Sequence, residues 1–172
     1  MKKFELTSEF TLSIFGVKLF QIKALVSFAN VNAGELGGFI ETEDNLSQEG
    51  NAWVSGNAEV YGDARVYGDA EVYDNARVSG NARVSGNAWV KKSTHIFQLG
   101  AIGSRNSFTT FFRVKTNQIF VACGCFLGSI DEFEKAVEET HAGTKHERTY
   151  KLAIQLAKEQ IELEAEVEEA EI

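Results

Sequence analysis

Proline is absent from this chain of 172 residues, and histidine, cysteine and methionine are scarce, with three, two and one copies. Without proline, tight turns have to come from glycine, asparagine or aspartate, which tolerate a left-handed backbone. Fifteen glycines are present. Cys123 and Cys125 lie two apart on a strand-like run, too close to bridge comfortably, so a reduced, cytoplasmic setting is expected. Both read as small buried hydrophobes rather than metal ligands. No apolar run is long enough to span a membrane, and Met1–Leu6 lacks the apolar core and cleavage site of a secretory leader. A basic stripe is missing too, which excludes nucleic acid polymers as partners. Net charge is −8, and seven glutamates with no lysine or arginine lie between Glu159 and Ile172, leaving the remainder near neutrality. That acidic run reads as a solvated helix end or a disordered tail.

What is present is a six-residue phrase written seven times between Gly50 and Lys91: GNAWVS, GNAEVY, GDARVY, GDAEVY, DNARVS, GNARVS, GNAWVK. Each places a valine two positions after an alanine, with glycine and asparagine or aspartate between units. The period is too short for a helical repeat and fits one flat strand plus one corner, so three phrases make a triangular coil and stacked coils make a parallel β-helix. Valine and alanine fill the interior. Residues eighteen apart then stack, Asn51 on Asp69 on Asn87, Trp53 on Glu71 on Trp89, and Glu59 on Arg77 as an ion pair. Trp53, Tyr61, Tyr67, Tyr73 and Trp89 are read as facing outward.

Residues 1–35 form a cap on the first coil, within which Met1–Phe28 alternates as two or three strands, including Thr11–Phe15 and Val17–Phe28, joined near Gly16. Residues 36–92 are the β-helix, about three coils. Residues 93–172 read as an α/β module: strands at His95–Ile102, Phe108–Lys115 and Gln118–Phe126, then two helices. Ser129 and Glu132 have capping-box spacing for the first helix, which ends near His141. The second runs from Lys145 to Glu166 and presents Tyr150, Ile154, Ala157 and Ile161 on one face. Phe111, Ile119, Val121, Phe133, Val137 and Ile154 are the expected core.

The register Val54, Ser55, Gly56, Asn57, Ala58, Glu59, with a degenerate extension through Leu36–Ile40 and Asn45–Ser47, resembles the hexapeptide-repeat, left-handed β-helix superfamily. The whole chain is similar to a group of phage and prophage proteins labelled hexapeptide-repeat transferases, through LGGFIETEDNLSQEGNAWV, IGSRN and VACGCFLGSIDEFEKAVEETH. The resemblance implies a left-handed coil and trimerisation through a flat side, so that Trp53, Tyr61, Tyr67, Tyr73 and Trp89 are expected at the interface of a homotrimer or higher oligomer. It also raises CoA-dependent acyl transfer, for which such enzymes use a histidine as general base in a cleft between subunits. Here the hexads hold no histidine and no inserted loop. His95, His141 and His146 all follow the repeat, and none has metal-ligand spacing. No catalytic residue, metal or cofactor is expected.

Chemistry outside the repeat is best sought in Ile102–Ser107, where glycine and serine let the backbone turn and Arg105 offers a planar fork matched to phosphate or carboxylate. Phenylalanines follow closely. Arg105 pairing with an anion, Ser104 and Asn106 donating hydrogen bonds and Phe126 stacking form the expected ligand site. The expected function is a non-catalytic, oligomeric, phage-type protein that binds a small anionic, nucleotide-like ligand. In its most specific form it is a sponge for a host immune second messenger. A purely structural or oligomerising module is the other reading beside acyl transfer.

Overall fold

Residues 2–164 are described by the computed structural model. Strands β1 (Phe4–Leu12) and β2 (Lys18–Ala24) form an antiparallel hairpin, and β2 pairs antiparallel with β3 (Leu36–Ile40), the first strand of the solenoid. The first strand thus ends at Leu12 instead of Phe15 and the second at Ala24 instead of Phe28, and residues 13–17 are the turn between them. Gly37 and Gly38 let β3 lie against the next coil, where a Cβ would sit within 2.7 Å of the Val54 and Ala58 carbonyl oxygens.

Each hexad contributes a two-residue strand: β4 (Trp53–Val54), β5 (Glu59–Val60), β6 (Arg65–Val66), β7 (Glu71–Val72), β8 (Arg77–Val78), β9 (Arg83–Val84) and β10 (Trp89–Val90). They stack in parallel as three ladders, β3-β5-β8, β4-β7-β10 and β6-β9, with Leu46 bridging to Val66. These are the three sides of the expected prism. Residues eighteen apart pair in register: Trp53 and Trp89 each oppose Glu71, and Glu59 opposes Arg77. The Asn51 side-chain amide donates to the Asp69 carboxylate at 2.8 Å, and Glu59 meets Arg77 at 3.3 Å. None of the repeat's seven valines and seven alanines is more than 1% exposed. Each buried valine contributes about 1.5–3 kcal/mol. The corners are left-handed glycines with one exception, Asp74, which takes φ 57° in their place.

A stacked coil satisfies its carbonyls with amides of the coil before it, as Gly68 and Ala70 accept from the Asn51 and Trp53 amides. The irregular turn before the first full coil, residues 36–49, supplies amides to only some of its carbonyls, and two side chains stand in for others. Lys3 Nζ donates to the Ala52 carbonyl at 2.8 Å and the Asn45 side chain donates to the Gly62 and Ala64 carbonyls, both at 2.9 Å. Both residues are buried. The Lys3 contact ties the N-terminal hairpin to this end of the solenoid, while Asn45 closes it from the turn after β3.

The other end is closed by an antiparallel sheet, β11 (Ile96–Ile102), β12 (Ser107–Arg113), β13 (Ile119–Cys123) and β14 (Phe126–Ser129). Alternation gives this sheet two apolar faces. Phe112, Val114 and Ala122 join the solenoid's core, while Phe111, Ile119 and Val121 pack against α1 (Ile130–His141) and α2 (Lys145–Gln160). The Arg83 amide donates to Thr110 Oγ1 at 3.1 Å and Lys115 N–H to the Asn87 carbonyl at 3.2 Å, covering the last coil's free edge.

The module has four strands, not three, because Gly124 (φ 62°) and Cys125 make a two-residue turn that pairs Cys123 with Phe126. Cys125 is therefore exposed at a hairpin tip instead of buried on a strand. The Ser129–Glu132 capping box forms as expected. Helix α2 stops at Gln160, short of Glu166, which lies outside the described residues. Past it the chain is extended, so that the Glu162 amide reaches the Thr94 carbonyl and the Glu164 backbone pairs with the Asn117 side chain. The expected acidic tail beyond Glu164 lies outside the described residues as well.

Candidate functional site

The outward aromatics of the repeat are mostly covered by this chain itself, which corrects their reading as a free face. Trp53 is 5% exposed because Phe4 and Phe28 of the N-terminal cap stand edge-on to it, at 6.5 and 5.5 Å. Trp89 lies beneath the Arg113 guanidinium (5.0 Å) and beside Tyr73 (5.7 Å), so each tryptophan anchors one cap. Glu71, between them on the same ladder, pairs with Lys115 of the C-terminal module at 2.7 Å. Tyr61 is buried and Tyr73 half-buried, and Tyr67 alone is exposed, at 36%.

His95 is likewise built into the junction. It is 3% exposed, and its Nε2 accepts from Arg113 Nη1 at 3.4 Å. Burial, then the adjacent Arg113 charge, holds its pKa below the ordinary value, so the ring stays neutral. Arg113 is itself buried and its Nη2 pairs with Glu164 at 2.9 Å. These groups fasten the cap.

The cleft lies on the far side of the sheet. Ile102 pairs with Ser107, so Gly103, Ser104, Arg105 and Asn106 form the turn between β11 and β12. Because β12 also pairs with β13, Thr109 opposite Cys123, this turn is brought beside the Gly124–Cys125 turn. Arg105 reaches across it: a Cβ on Gly124 would be 3.1 Å from Arg105 Nη1. The two turns and the inner faces of both helices enclose a cleft of about 280 Å³, at the small end of ligand sites, which run from about 300 to 1,000 Å³.

Of the four expected site residues, Ser104, Arg105 and Phe126 line this cleft and Asn106 does not. Asn106 has φ 45°, and its amide is already donated to the Gly103 carbonyl at 3.3 Å. Its role is therefore to close the turn. The floor is aromatic: Phe133 stands 5.1 Å from Phe126 and 5.4 Å from Tyr150, whose ring stacks on His141 at 5.7 Å. Tyr150 lies near Cys123 Sγ at 3.7 Å, and that sulfur accepts from Thr109 Oγ1 at 3.3 Å. Burial first, then the Cys123 contact, pushes the Tyr150 hydroxyl up to about 12, so it remains a neutral donor.

Arg105 is the one lysine or arginine among the described residues lining the cleft, and no carboxylate of those residues lines it. Among the described residues, no acidic side chain lies within salt-bridge reach of it. Tyr150, His141, Cys123 and Gly124 were not expected in the site. Helical periodicity sets Tyr150 only on one face of the second helix, and the two turns are joined by the sheet register alone.

The repeat has a match in one family model. Residues 70–86 and 76–92 are similar to the YdcK beta solenoid repeat. The match covers the last hexads and accords with the stacked ladders that those residues form. A comparison with curated proteins returns no match. Among the described residues, no three or more histidine, cysteine or acidic side chains gather as a metal cluster would require, and no helix is long and apolar enough to cross a membrane.

Proposed function

We propose that this chain is a ligand-binding protein: a solenoid closed at both ends, whose C-terminal cap carries a cleft for a small planar anion. The observation that carries the reading is Arg105, a guanidinium with no carboxylate partner among the described residues, at the mouth of a cleft floored by Phe126, Phe133 and Tyr150. A planar fork beside aromatic faces suits a phosphate or carboxylate attached to a flat ring. Ser104 supplies a hydroxyl at the same rim. Nucleotide-like compounds have this chemistry, and sequestration of a nucleotide-derived immune messenger is the biological role we assign. The volume of about 280 Å³ suits one ring and its substituent better than the length of CoA.

Two finer features belong to the same proposal. The coil winds left-handed, in keeping with the hexad register. Copies of the chain associate, and the open apolar surface for that is the end of the β1–β2 hairpin, where Phe10, Leu12, Ile14 and Phe15 are 53 to 77% exposed.

Thermal-shift titrations with AMP, cyclic dinucleotides, ADP-ribose and acetyl-CoA test the reading, since a ligand that binds only the folded state raises Tm by mass action. A nucleotide shift lost in Arg105→Ala, with the unliganded melt unchanged, is the expected result. A shift with acetyl-CoA alone, accompanied by acetyl transfer to an amine, overturns it.

A further inference from the structure

Parallel in-register stacking usually sets unlike or neutral partners above one another in this protein, but the β6-β9 ladder does the opposite. Arg65 and Arg83 are directly opposed, one coil apart, and both are exposed. Like charges so placed are destabilising. Elsewhere in the repeat Glu59 stacks on Arg77, and Glu71 is paired with Lys115 of the C-terminal module. Among the described residues, neither Arg65 nor Arg83 has a carboxylate within salt-bridge distance, although Asp63 borders the same hollow.

That hollow, about 370 Å³, lies where the solenoid meets the C-terminal sheet, and Ser107 and Gly124 form walls of both it and the Arg105 cleft. Arg105 lies over Gly124, at the boundary between the two. Three guanidinium groups therefore line two neighbouring hollows, one beside the aromatic floor and two stacked on the solenoid. The repeat's spacing holds the backbones of the stacked pair about 4.8 Å apart along the ladder, within the reach of two arginine side chains to a single phosphate group or two linked ones.

We propose that the Arg65–Arg83 pair is a second anion subsite and that the ligand carries at least two linked phosphate groups on a planar head. The head and first phosphate occupy the Arg105 cleft, and the further phosphate neutralises the arginine ladder. This rests on the binding role proposed for Arg105 and adds the class of ligand to it. Both ladder arginines are exposed on two-residue strands whose cores are Val66 and Val84, so their side chains can be removed without opening the interior.

Calorimetric titration of AMP, ADP and inorganic pyrophosphate into wild type, Arg65→Ala, Arg83→Ala and Arg105→Ala separates the two ideas. ADP is expected to bind at least tenfold more tightly than AMP in wild type. Arg65→Ala or Arg83→Ala should remove that advantage and leave AMP affinity within twofold, whereas Arg105→Ala should weaken both nucleotides. Equal affinity for AMP and ADP, or ADP binding indifferent to both ladder variants, overturns the second subsite while the Arg105 reading stands. If neither nucleotide binds, the Arg105 reading falls for this class. Pyrophosphate then decides the ladder: binding lost in Arg83→Ala supports it, and no binding overturns it.

Discussion

Replacing Gly103 with alanine should cost far more than the same change at Gly86, although both glycines have left-handed backbones, φ 74° and 63°. Strain is shared: an L residue in that region loses about 1–2 kcal/mol relative to glycine. Contact is not. A Cβ at Gly86 meets nothing within 4 Å, whereas one at Gly103 lands on the Tyr150 hydroxyl. Tyr150 is 7% exposed and held between Phe133 (5.4 Å) and His141 (5.7 Å), so it has little room to retreat. Overpacking of this kind costs roughly 1–3 kcal/mol. Gly86→Ala should thus lose about 1–2 kcal/mol and Gly103→Ala about 2–5 kcal/mol. Urea denaturation of the two variants, compared at equal m-values, measures the difference. Equal losses would refute the packing of Tyr150 on the turn, and with it the shape of the cleft.

Lys3 gives the protein an alkaline signature. Burial lowers its pKa from 10.5 to about 8, so the folded state sheds this proton first and stability rises from about pH 8 to about pH 10. Above that range the trend reverses, because Tyr73 and Tyr150, both pushed up to about 12 by burial, resist an ionisation that the unfolded chain undergoes near pH 10. Urea midpoints across this range should lose the rise and keep the fall in Lys3→Met, and a rise that persists there contradicts the assignment. Trp89→Ala should destabilise by about 2–4 kcal/mol by stripping the Arg113 stack, while Tyr67→Ser stays within about 0.5 kcal/mol. Similar losses for both would restore the free aromatic face. Sedimentation velocity should show assembly weakened by Phe15→Ser combined with Ile14→Ser, and undiminished assembly would move the interface off the hairpin.

Much of the solenoid is readable from the hexad because a period of six fixes both the stacking partners and the faces. Asn51 over Asp69 and Glu59 over Arg77 follow from counting alone. Periodicity says that Trp53 and Trp89 leave the prism, but not that another segment will cover them. Their burial depends on Phe28 and Arg113, which are 25 residues N-terminal and 24 residues C-terminal of their respective partners. Helix α1 was marked by Ser129 and Glu132, a local hydrogen-bond exchange, whereas α2 ends early because Glu162 and Glu164 find partners near Thr94, Asn117 and Arg113. The site divides the same way. Arg105 and Phe126 were visible as residue types, but the cleft joining them depends on β12 pairing with both its neighbours, a non-local register that composition does not reveal.

The central claim, that the Arg105 cleft holds a planar anion, is tested most directly by amide chemical shifts of the 15N-labelled protein titrated in turn with AMP, ADP-ribose and a cyclic dinucleotide. At least one compound should move the amides of Ser104, Arg105, Gly124, Cys125 and Phe126 with a single common affinity, and leave the N-terminal hairpin unmoved. Saturating concentrations of all three that leave those five amides in place, or shifts centred on the hairpin, would contradict the account.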